Sequence, residues 1–70
     1  MSSIVLCWLI EGREVYYFNG EKEYKVVDVT SSIVNSDRYV VYVRDGVRRQ
    51  LEDNKISSTE VKDNKLIISF

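Results

Sequence analysis

Apolar residues along the chain fall into short runs, and the breaks between them carry glycine, asparagine and aspartate. That succession predicts strands joined by tight turns. The clearest case is Arg38–Leu51, where Asp45-Gly46 separates two runs rich in valine and tyrosine. An Asp-Gly pair between such runs marks a β-hairpin. Alternation discriminates between two loop lengths. A two-residue loop sets Val43 opposite Arg48 and Tyr42 opposite Arg49, leaving both faces mixed. A three-residue loop with a bulge at Gly46 gathers Tyr39, Val41, Val43, Val47 and Leu51 on one face, with Arg49 the only intruder. A slip of one residue turns every side chain over, so the register that collects the apolar set is the expected one.

The opening run, Ile4 to Ile10, is apolar at every position. Read as a strand, it presents Ile4, Leu6, Trp8 and Ile10 on one face and Val5, Cys7 and Leu9 on the other. A strand apolar on both faces is covered twice. The second cover would come from barrel curvature, a helix or another chain. Glu11-Gly12-Arg13 then turns into Val15–Phe18, and Asn19-Gly20 leads into the stretch from Glu21 to Ser31. In that stretch Val27 and Val29 share a face with Lys25, opposite Tyr24, Val26 and Asp28. Ser57 and Glu60 have capping-box spacing for one helical turn. Thr59 and Val61 fit equally well the start of a strand that turns at Asp63-Asn64. Leu66–Phe70 is a final strand expected to close against an earlier one, because a frayed apolar end invites aggregation. The tail also repeats itself weakly, Leu51–Ile56 resembling Val61–Leu66. Two units are too few for a solenoid.

The fold class expected is all-β: one domain, residues 1–70, forming a small five- or six-stranded antiparallel barrel-like sheet. One short helical turn before the last strand is compatible with it. This order of elements is similar to that of SH3 and Tudor barrels. The similarity is of element order alone and implies no function.

Size and composition narrow the chemistry. A chain of 70 residues buries only about 60% of its unfolded surface and is marginally stable. Such chains are often reinforced by disulfides, metals or a partner subunit. Cys7 is the only cysteine and histidine is absent, so an internal disulfide and finger-type zinc sites are excluded. A partner subunit is the reinforcement still open. The apolar opening run is far shorter than the roughly 20 residues that span a bilayer. No basic residue precedes it and charged residues follow at once, a poor match to a secretory signal. The cytoplasm is therefore the expected location, without membrane contact.

The absence of histidine also removes the commonest general base, and with it Ser-His-Asp and Cys-His arrangements. Cys7 lies in an apolar run without a basic neighbour and is expected to pack in the core as an inert thiol. Glu21 with Glu23, and Glu52 with Asp53, stand beside turns as ordinary solvated carboxylates. With only three glycines there is no phosphate-cradling loop. No enzyme and no cofactor or metal is expected.

Two kinds of binding fit. Net charge is −1, against bulk attraction to nucleic acid, yet residues 38–51 hold four of the five arginines. On the bulged register Arg38, Tyr42, Arg44 and Arg48 share the hairpin's outer face, a platform for stacking single-stranded bases. The bland reading of the same pattern is cross-strand Arg–Tyr packing on a solvated face. Protein association is the favoured expectation. Trp8, Tyr16 and Phe18 are of types enriched at interface centres, and the first two runs carry more apolar surface than a small monomer covers easily. The partner would be a second copy or a larger host protein. The expected role is that of an adaptor, inhibitor or assembly accessory, of a kind common among virus and mobile-element products.

Overall fold

Ser3 sets the first element. In the computed structural model, which describes residues 3–70, Ile4–Ile10 is an α-helix, α1, not a strand. The Ser3 hydroxyl accepts from the Leu6 N–H at 3.4 Å and donates to Asp53 Oδ1 at 2.9 Å, the side-chain capping expected of an N-cap serine. At the other end Gly12 takes φ +76°. Its N–H donates to Leu9 O, and that of Arg13 to Trp8 O, the paired bonds of a Schellman C-cap. A short apolar run fits strand and helix equally well by periodicity. Here the two caps decide. Val5 and Trp8 are buried, with Leu9 partly so, on the face that meets the sheet.

Six strands follow: β1 (Glu14–Phe18), β2 (Glu23–Ser31), β3 (Arg38–Arg44), β4 (Val47–Glu52), β5 (Ser58–Lys62) and β6 (Lys65–Ser69). They form one mixed sheet in the order β4-β3-β2-β1-β6-β5. The protein is mostly β, with 54% of it in strands and 15% in helix, and the sheet is not closed. β1 to β4 is an antiparallel meander, and β5–β6 is a second hairpin. β6 runs parallel to β1, so the expected all-antiparallel pairing fails at this one joint. Parallel neighbours need a long crossover, and everything from β2 to β5 serves as that connection.

The β3–β4 turn corrects the expected bulge. Arg44 pairs with Val47, Val43 with Arg48 and Tyr42 with Arg49, a two-residue loop. Asp45 and Gly46 both have positive φ, 52° and 75°, as a type I′ turn requires. That turn matches strand twist, and turn geometry outweighs the tidier segregation of apolar side chains. Leu51 consequently shares the helix side with Val40 and Tyr42, and Arg48 the outer side with Tyr39 and Val43.

A bulge in β2 also changes sides. The register shifts between Val26 and Asp28, so Val29 joins Val26 and Tyr24 on the helix side, and Asp28 turns outward. The core on that side is Val5, Trp8, Val15, Val26, Val40, Tyr42, Leu66 and Ile68.

The tail resolves in favour of a strand over Thr59–Val61. A single 3₁₀ turn, η1 (Asp53–Lys55), stands earlier, before β5. Asp63 and Asn64, at φ 53° and 62°, make the second two-residue reversal. Residues 53–57 thus carry the chain from one edge strand of the sheet to the other.

Candidate binding surfaces

The residues expected to mediate association separate. Trp8 is buried against the sheet, and the Arg13 guanidinium lies 3.6 Å above its ring. It belongs to the core of the monomer. Tyr16 and Phe18 stand on the opposite, outer face of the sheet, beside Ile67. Tyr16 is half-buried, with the Lys65 ammonium 5.0 Å from its ring centre. Phe18 is exposed at the strand end.

The arginine platform is also divided. Arg38, Tyr42 and Arg44 alternate onto the helix side, whereas Arg48, opposite Val43, lies on the outer face. Tyr42 is only 8% exposed. Its ring packs edge-on to Tyr17 at 4.9 Å and lies 5.9 Å from Tyr24. Phe70 meets Tyr17 edge-on at 5.3 Å. These rings cover the part of the sheet that α1 does not reach, and Arg44 sits 5.7 Å from the Tyr24 ring centre. Tyr42 therefore offers little free ring face for a base.

Arg48 makes an exposed ion pair within the sheet. It meets Asp28 of β2 at 3.8 Å, reaching across β3 on the side from which Val41 projects. Val41 is 2% exposed although no other layer covers that face among the described residues. The aliphatic stem of an arginine shields apolar surface in this way.

What the strand reading of the first run concealed is the outward row of α1. Ile4, Cys7 and Ile10 are exposed, Ile10 to 75%, and no residue of the helix is polar. Cys7 is thus a surface thiol, contrary to the expected core packing. The signal available in the sequence was Gly12 two residues before a strand, a helix C-cap position as well as a turn. In the loop between β2 and β3, Ile33 and Val34 are almost fully exposed, at 98% and 96%.

Two open hollows flank Phe70. The larger, about 560 Å³, is lined by Tyr39, Gln50, Leu51, Glu52, Lys55 and Phe70. The smaller, about 310 Å³, lies between Phe70 and the β1–β2 turn. Among the described residues no three metal-capable side chains gather, and no helix is long and apolar enough to cross a membrane. Comparison with known protein families, curated proteins and solved structures finds no match to this chain.

Proposed function

We propose that the chain is a non-enzymatic, cytoplasmic binding module that works as an adaptor, inhibitor or assembly accessory by contact with another protein. The observation that supports this most directly is the outward row of α1, Ile4, Cys7 and Ile10. A surface helix normally turns a polar face to water. This one has none, so water contacts a strip that a partner would bury at about 25 cal/mol per Å². The exposed thiol of Cys7 suits a reducing compartment. We also read the curled sheet as barrel-like in the SH3 or Tudor manner, because a link as short as residues 53–57 joins its two edge strands.

Capture from extracts of the source cells tests this, with nuclease treatment and an Ile10→Lys variant in parallel. Ile10 is already in water, so the substitution should leave thermal unfolding unchanged. Partners retained after nuclease and lost with Ile10→Lys support the reading. Partners lost with nuclease and indifferent to Ile10→Lys overturn it in favour of nucleic acid.

A further inference from the structure

We propose that β4 is a self-pairing edge: two copies of this chain join there, antiparallel about a two-fold axis at Gln50, into one continuous sheet. The partner is a second copy and the surface is distinct from the α1 row, so the contact does not depend on that row being an interface.

β4 hydrogen-bonds to β3 alone, and among the described residues no strand pairs with its other edge. The phase of its free groups follows from the turn. In a two-residue hairpin the closing pair, Arg44 with Val47, is hydrogen-bonded, and bonded and non-bonded pairs then alternate. Val47, Arg49 and Leu51 therefore bond inward. The N–H and C=O groups of Arg48, Gln50 and, at the strand end, Glu52 point outward.

A two-fold edge contact permits few registers, and charge selects among them. Centring on Arg48 or on Arg49 sets that arginine against its own copy, an unfavourable pairing of like charges. Centring on Leu51 brings an inward-bonding residue to the axis and shortens the ladder. Centring on Gln50 places Gln50 opposite Gln50 and Arg48 opposite Glu52 of the second copy, with the reciprocal pair on the other side of the axis. Every outward-bonding residue of the strand then meets another, and each arginine–glutamate pair is of opposite sign on the same face. Arg49 falls opposite Leu51, where its stem packs and its charge stays wet. Two-fold dimers, whose contacts are isologous, are the commonest closed oligomers.

Charged side chains on an edge strand usually prevent pairing. On β4 they are arranged to complement themselves. The ion pairs they make within the chain, Arg48 with Asp28 and Glu52 with Lys55, are both 3.8 Å long and exposed. Contacts of that kind are weak and exchangeable.

The other edge, β5, is less suited. Its hairpin ends at Lys62 with Asp63 and Asn64 left-handed. By the same phase its outward groups are those of Thr59 and Val61. A two-fold at Val61 matches Glu60 with Lys62 but sets Thr59 against the turn.

Sedimentation velocity of the full chain over rising concentration, at low salt, tests the proposal. The wild type should pass from monomer to dimer. Arg48→Glu alone and Glu52→Arg alone should each remain monomeric where the wild type is dimeric. An equimolar mixture of the two variants, and the double swap R48E/E52R, should both recover the dimer. Circular dichroism verifies that each single variant is folded, and the double swap keeps the test decisive if one is not. A wild type monomeric to millimolar concentration overturns the proposal. So does a dimer that survives Arg48→Glu, or a mixture and swap that both stay monomeric. A dimer lost with Ile10→Lys but kept with Arg48→Glu would assign self-association to α1 and likewise overturn the edge, leaving α1 as the contact surface.

Discussion

Arg13 leaves the helix cap and lays its guanidinium over Trp8, 3.6 Å from the ring centre. The ring is thus closed off by a cation on the side away from the core. Such a contact contributes about 0.5–1 kcal/mol at a partly exposed site. Arg13→Ala should lower urea stability by roughly that amount and shift the emission of Trp8, the only tryptophan, to longer wavelength. Glu11→Gln should do neither, because the Glu11–Arg13 ion pair, 3.6 Å long and exposed, is of the kind that adds little. Gly12 makes a sharper case. A Cβ there meets nothing within 4 Å, so only the backbone at φ +76° resists substitution. Gly12→Ala should therefore cost about 1–2 kcal/mol, and Gly12→Asn, which tolerates that region better, distinctly less. Chemical denaturation of both variants measures the difference. An equal loss for Ala and Asn would mean that the cap, and with it the helix boundary, is misplaced.

At the scale of elements, the turns were legible in the sequence and the partition of side chains between faces was not. Asn19-Gly20, Asp45-Gly46 and Asp63-Asn64 all stand at reversals, because positive φ restricts which residues fit. Their loop lengths, though, depend on twist. The type I′ geometry at Asp45-Gly46 set Leu51 opposite Val40 and Arg48 opposite Val43, and so split the arginine platform that alternation alone had assembled. The bulge between Val26 and Asp28 had a similar effect on Val29 and carries no strong mark, since no glycine stands there. Ile4–Ile10 was ambiguous by nature. Seven apolar residues satisfy period two and period 3.6 alike, and their identity as a helix rests on Ser3 and Gly12. The candidate site shared that fate: Trp8 moved to the core and Cys7 to the surface once the run was helical. The turn assignment has its own test. Asp45→Asn should leave stability within about 0.5 kcal/mol, whereas the β-branched Asp45→Val should cost about 1–2 kcal/mol. Indifference to valine in thermal unfolding would contradict a left-handed Asp45.

For the whole molecule, the parallel joint between β1 and β6 is where the two hairpin systems become one sheet. Glu14–Tyr17 pair with Lys65–Ile68, about fifty residues further along the chain. Leu66 and Ile68, both fully buried, enter the core from that joint beside Val15, Val26 and Val40. The helix rests on the same residues, and Ser3 is tied to Asp53 across the open side. The pairing is long-range and therefore costly to close, so it should form late and bind all other elements cooperatively. Two measurements follow. Leu66→Ala removes a fully buried side chain, at a cost of about 2–5 kcal/mol. For a domain whose total is of the order of 5 kcal/mol or less, that should abolish cooperative thermal unfolding, while Val61→Ala, on the exposed edge of β5, should not. Native-state amide exchange should rank the same way. The central amides of β1, β2, β3 and β6 should open only with global unfolding, and those of β5 and residues 32–37 by local fraying. Slow exchange at the outward-bonding amides of Arg48 and Gln50, appearing only at concentrations where the chain associates, would separate an occupied β4 edge from a free one within the same experiment.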